Sequence, residues 1–173
     1  LVFPGVASEY DHLSSEEQTE LLSVVCRIAD GCIPVICGGG KGGPEKIGAN
    51  IMKAYDLGVV AAMVLIPNKF KGDAEGAQNF IEAVIEHSPG VDIILQNAPS
   101  PVGAGLEATE LDKIVSVCPA IRYVKEEALP SGPRITAILD ASPEHLIGVI
   151  GGGGARYLID EMNRGAIGAM PAA

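Results

Sequence analysis

Lys125 ends the run Ile121-Arg122-Tyr123-Val124-Lys125, and of all the residues in this chain it has the clearest route to covalent chemistry. Strand alternation puts Ile121, Tyr123 and Lys125 on one face. If that face is enclosed, burial disfavours the ammonium, and the side chain moves from its usual pKa of about 10.4 toward that of a nucleophilic amine. A neutral lysine attacks a ketone and becomes an iminium, an electron sink for making or breaking the neighbouring bond. The plainer reading is a solvated lysine at a strand end, and on the run alone it is the better one.

Two glycine clusters invite a phosphate-binding reading that their spacing does not sustain. Gly38 to Gly43 contain Lys41 but no following G-K-[ST], which excludes a P-loop. Gly151 to Gly154 stand between an apolar run and a helical pattern. There the G-x-G-x-x-G spacing fails at Tyr157 and Leu158, and no acidic partner follows at a useful distance. Tight turning, or close approach of the backbone to a small ligand, is the simpler account of both. Cys26, Cys32, Cys37 and Cys118 lie in or beside apolar segments, without a C-x-x-C pair or a nearby histidine. They read as small buried hydrophobes in a reducing compartment rather than as zinc ligands. No metal or other cofactor is called for.

The elements that must position Lys125 come from a chain of 173 residues, enough for one domain with a real core. Apolar residues make up 47% and aromatics only 4%, so that core is built from branched aliphatics, as in barrels and doubly wound sheets. A formal charge of −10 argues against nucleic acid as a partner. The longest apolar stretch, Val59 to Ile66, falls far short of the roughly 20 residues of a membrane helix. With no signal-peptide pattern at Leu1, the expected location is cytoplasmic.

Short apolar runs alternate with amphipathic segments, as repeated βα units require. The runs predict strands at Leu1–Val6, Ile33–Cys37, Val59–Ile66, Val91–Gln96, Ile121–Lys125, Leu146–Ile150 and Ala166–Met170. Ser14 and Glu17 form a capping-box pattern for the first helix, with Gly31 as its stop. Helices are expected over Pro44–Leu57, Asp73–His87, Thr109–Val117, Gly132–Leu139 and Ala155–Met162. Right-handed crossovers between such units give a parallel sheet, either open and doubly wound or closed as a barrel. Periodicity leaves both open. In either, functional groups collect at the C-terminal strand ends. Those ends are Gly5 to Glu9, the Gly38 cluster, Pro67 to Lys69, Gln96 to Pro99, Lys125 to Glu127, the Gly151 cluster and Pro171.

In order along the chain, these segments resemble the dihydrodipicolinate synthase and N-acetylneuraminate lyase family. Gly5 to Glu9 with Leu13 and Glu17 is similar to that family's G-[ST]-T-G-E…L…E segment. Ile33 to Ile36 is similar to its P-V-I strand, and Ile94 to Gly103 to its Y-N-x-P-x-x-x-G stretch. Tyr123 to Glu126 resembles the I-K-E strand with the Schiff-base lysine, and Gly165 to Pro171 the last barrel strand. The resemblance implies a (β/α)8 TIM barrel, here one partial catalytic domain over residues 1–173. Strands two to eight would be present, and the first βα unit and the C-terminal helices absent. It implies a Schiff-base lyase (aldolase, dehydratase or synthase) acting on pyruvate or a sugar-derived 2-oxo acid, in a homo-oligomer, dimer or tetramer. Lys125 and Gln96 would be catalytic. Ala7, Ser8, Asn97, Lys69, Gly151 and Met170 would bind substrate, with the N–H groups of Ala7 and Ser8 on its carboxylate.

The departures from the family pattern fall on its proton relay. Val6, Gln96 and Lys69 (or Asn68) stand where the family has a threonine and two tyrosines, and Pro101 replaces an arginine that some members carry. Gln-Asn-Ala-Pro at positions 96–99 looks like the branch that includes 2-keto-3-deoxy-L-arabonate dehydratase. A catalytically impaired relative serving as a binding or assembly module is the alternative. Glu126 points away from Lys125 by alternation, which leaves the proton-transfer group unassigned.

Overall fold

Apolar runs and amphipathic stretches fold in strict alternation in the computed structural model, which describes residues 1–5, 8–9 and 12–171. The order is α1 (Ser15–Ala29), β1 (Ile36–Gly38), α2 (Pro44–Asp56), β2 (Ala61–Leu65), α3 (Ala74–Glu86), β3 (Asp92–Asn97) and α4 (Ala108–Val117). Then follow β4 (Ile121–Glu126), α5 (Ser131–Ala141), β5 (Gly148–Gly151), α6 (Leu158–Asn163) and β6 (Gly168–Ala169). The sheet order is β1-β2-β3-β4-β5-β6, and the β1–β2, β4–β5 and β5–β6 ladders are parallel. This order decides between the two architectures. A doubly wound sheet reverses its strand order at a switch point, whereas barrel strands pair with their chain neighbours.

The expected strand Leu1–Val6 is reduced to one parallel bridge, Val2 with Ile36. Leu1 and Pro4 carbonyls accept from Ile36 and Gly38 N–H groups. Pro4 has no N–H with which to extend the ladder, and Val6 lies outside the described residues. The close approach at Pro4 explains Gly38, where a Cβ would stand 2.6 Å from the Pro4 oxygen.

By contact density the chain divides into two compact units, Leu1–Val64 with Ala83–Ile93, and Leu65–Glu82 with Ile94 onward. In the first unit, Ser14 Oγ accepts from Glu17 N–H and Glu17 Oε2 accepts from Ser14 N–H, the reciprocal capping expected for α1. The helix ends one residue earlier than Gly31 suggests. Asp30 takes the left-handed C-cap at φ 44°, a conformation short polar side chains tolerate. Cys37 and Cys118 are buried, one in each unit, and burial pushes their thiols up to about 12 and about 11. Cys26 is only partly buried and Cys32 is exposed, so burial does not hold for all four. No helix among the described residues is long and apolar enough to cross a membrane.

The second unit packs α4, α5 and α6 with β4, β5 and β6 around fully buried Leu95, Leu111, Ile114, Ile121 and Ile135. On the α5 side of the sheet, a polar network ties strand ends together. Glu126 is completely buried and accepts from Asn97 Nδ2 at 2.9 Å and from Ala128 N–H at 2.6 Å. Arg134 Nε on α5 lies 3.5 Å away. Asn97 also clasps Leu106, donating to its carbonyl at 3.0 Å and accepting from its N–H at 2.9 Å. These bonds fix the loop between β3 and α4 against the end of β4.

Burial raises the Glu126 carboxyl from 4.5 to about 7, against the opposing pull of Asn97, Arg134 and the Ala128 N–H. Between these two values the folded state keeps a proton that the unfolded chain has lost. The stabilisation from this group is therefore complete below pH 4.5 and is lost as pH rises through about 7. The limiting slope is about 1.4 kcal/mol per pH unit. Glu126→Gln keeps the shape but cannot titrate. Urea unfolding across this range should show the wild type losing stability relative to Glu126→Gln as pH rises, and a constant difference would contradict the assignment.

Candidate active site

β4 ends with Lys125 and Glu126, and Glu127 follows directly. Lys125 is 6% exposed, which removes the solvated-lysine reading. Its Nζ lies 3.2 Å from Glu127 Oε1. The other oxygen of that carboxylate, Oε2, accepts from Gln96 Nε2 at 2.6 Å. Gln96 itself is 6% exposed, on the neighbouring strand β3. Alternation assigns the faces: Gln96, Lys125 and Glu127 share one, while Asn97 and Glu126 share the other. An amine, a carboxylate and an amide thus converge where little water reaches. There a charge-assisted hydrogen bond is strong and an unpaired charge would be costly.

The other residues expected at a substrate are placed as follows. Gly151 closes β5 and pairs with Ala169; its carbonyl accepts from Met170 N–H at 2.9 Å, which brings those two together. Asn97 is placed differently from the expectation of a substrate contact. It is fully buried, and its amide is committed to Leu106 and Glu126 on the far face from Lys125. Lys69 lies in a 3-10 turn, Asn68–Phe70, with its ammonium 4.7 Å from the Phe70 ring centre and 5.5 Å from that of Phe80. Ser8 belongs to the first unit, where its Oγ accepts from Gly5 N–H at 3.2 Å. Ala7 lies outside the described residues.

Glu127 stands among the strand-end residues of the sequence analysis but is given no role there. The expected strand ends at Lys125, but the ladder runs on, and Glu127 N–H donates to Asn97 O at 3.0 Å. Carrying the two-residue period one step past Lys125 would have found it.

The glycine cluster after β5 faces two carboxylates. A Cβ on Gly152 would stand 2.5 Å from Glu127 Cγ and 2.6 Å from its Oε1. A Cβ on Gly151 would collide with Glu161 Oε2. Glu161, on α6, is 1% exposed; its Oε1 accepts from Ser131 Oγ at 2.6 Å and its Oε2 has no hydrogen-bond partner among the described residues. A separate cleft of about 280 Å³ lies in the first unit, walled by Ser15, Gln18, Lys46, Asn50 and Lys53 among others. It includes none of the residues expected at the site, and the lysine chemistry belongs to the second unit.

Comparison with known proteins agrees with the α/β fold. The chain is 31% identical over 149 residues to 4-hydroxy-tetrahydrodipicolinate synthase 1 of Halalkalibacterium halodurans, a match spanning 83% of this chain and 48% of that protein. It is 28% identical over 144 residues to 4-hydroxy-tetrahydrodipicolinate synthase of Bacillus subtilis, spanning 83% and 49%. The crystal structure of a dihydrodipicolinate synthase from Bacillus anthracis superposes with a TM-score of 0.84 at 26% identity, over 98% of this chain and 56% of that one. The 4-hydroxy-tetrahydrodipicolinate synthase of Methylacidiphilum fumariolicum gives 0.87 at 24%, a likeness of fold alone. The chain spans about half the length of the curated relatives it matches. Its fold is that of part of a TIM barrel. Matching the Dihydrodipicolinate synthetase family over residues 1–172, the chain belongs to that family.

Proposed function

We propose that the protein is a class I lyase that binds pyruvate, or a 2-oxo acid derived from a sugar, as a Schiff base on Lys125. The observation that carries this reading is the cluster of buried Lys125 and Gln96 with half-buried Glu127 at the C-terminal end of β4. That is the end at which parallel barrels hold their chemistry.

The cluster supplies what the reaction needs, in order. Glu127 takes a proton from the Lys125 ammonium, and the freed Nζ lone pair attacks the C2 carbonyl of the oxo acid. A C–N bond forms while the C=O π pair moves to oxygen. Glu127 returns the proton to that oxygen and then carries a second proton from the nitrogen to the resulting hydroxyl, so that water departs and an iminium remains. Breaking the C3–H bond then sends its electron pair into the iminium and its proton to the carboxylate, which gives the enamine. Gln96, by donating to Oε2, leaves Oε1 turned toward the lysine. The role left open by the missing tyrosines is thereby filled by a carboxylate two residues from the nucleophile. Gly151 and Met170, joined at the next strand ends, are proposed to border the substrate.

Borohydride reduction in the presence of millimolar pyruvate, followed by peptide mass analysis, should modify the peptide carrying Lys125. Modification elsewhere, or none, would sink the proposal and favour a binding or assembly role. Proton transfer can be followed separately by NMR, as exchange of pyruvate methyl hydrogens in deuterium oxide. Replacing Glu127 by Gln should slow that exchange by about 100-fold or more, while Lys125 can still be trapped on long incubation. An unchanged exchange rate would remove Glu127 from the mechanism.

A further inference from the structure

Gly152 is buried, follows the last residue of β5, and has the Glu127 side chain directly over its Cα. Any Cβ there would overlap Cγ, Cδ and Oε1 of Glu127, at 2.5, 2.9 and 2.6 Å. Oε1 is the atom paired with Lys125 Nζ at 3.2 Å. No backbone atom stands among these three nearest neighbours; they all belong to one side chain. The overlap is therefore relieved by moving Glu127, and moving it breaks the approach to both Lys125 and Gln96.

We infer that Gly152 is a positioning residue: its missing side chain is the slot that holds the Glu127 carboxylate against the Lys125 amine. This gives the glycine run after β5 a chemical purpose that involves no phosphate and no close approach of backbone to ligand. Gly151 makes a parallel slot for Glu161, whose carboxylate instead bonds to Ser131 on α5. The two neighbouring glycines thus admit two acids from two different elements, one to the lysine and one to the packing beneath it. The inference rests on the proposed Schiff-base chemistry for its readout, but the slot itself is a matter of contact.

A double-mutant cycle separates the two. Methyl hydrogen exchange of pyruvate in deuterium oxide would be measured for the wild type, Gly152→Ala, Glu127→Ala and the double variant, alongside borohydride trapping and thermal melting of each. Gly152→Ala should lower exchange by about 100-fold, close to the loss in Glu127→Ala. In the Glu127→Ala background the same substitution should change exchange by less than about 2-fold, because the three atoms nearest to the new Cβ are gone. The double variant should also melt no lower than Glu127→Ala. If Gly152→Ala alone fails to fold yet the double variant folds, the clash with Glu127 is confirmed by that rescue. Equal losses in both backgrounds, an unaffected Gly152→Ala, or a double variant that will not fold would overturn the inference. Failure of the wild type to trap pyruvate at Lys125 would instead strike the Schiff-base proposal, leaving the melting comparison to judge the slot.

Discussion

Two opposite charges held side by side with little water set the terms for this site. Taking the Lys125 ammonium out of solvent costs several kcal/mol unless a partner compensates. Glu127 is that partner, 3.2 Å away, and Gln96 holds it in place. Removing the carboxylate would strand a buried cation, and removing the lysine would leave a half-buried anion without its counter-charge. The same pair is suited to chemistry, since a proton need move only across a hydrogen-bond distance to yield a neutral amine. Stability and reactivity here draw on one geometry.

What keeps that geometry fixed is the two-residue period of adjoining strands. Gln96 and Asn97 are consecutive, as are Lys125 and Glu126, and each pair is divided between opposite faces of the sheet. On one face Gln96 meets Glu127; on the other Asn97 meets Glu126. A slip of β4 by one residue would exchange the two sets, turning Lys125 and Glu127 into the packing and Glu126 toward Gln96. The Glu126 network, clamped to Leu106, Ala128 and Arg134, thus guards the register on which the reactive face depends.

Much of this was legible in the residues. Lys125 stands out because its alternating run predicts which face it occupies, and the capping pattern at Ser14 and Glu17 fixes the start of α1 to the residue. The barrel order was not legible, since periodicity reports local shape and not which strand pairs with which. The family resemblance supplied that answer, and the consecutive pairing of strands agrees with it. Glu127 escaped because a strand's end is the least certain part of its pattern, and one residue more of ladder decides its direction. Asn97 misled for a related reason. A polar residue at a strand end suggests a ligand, but here the buried backbone of Leu106 claims it first. The glycines after β5 could be read only as permissive, because what fills the space above them comes from other strands and helices.

The pairing of each strand with its neighbours in the chain carries a consequence for how the protein is made. Each of these ladders closes over a loop of one helix and its connections, so none of the six described strands awaits a distant part of the polypeptide to pair with its neighbour. Contacts of short sequence separation are reached quickly, since loop closure costs entropy that grows with the length enclosed. The sheet can therefore grow in the order in which a ribosome delivers it. The chain leading up to β5 would already carry the lysine strand, still lacking the glycines that seat its carboxylate.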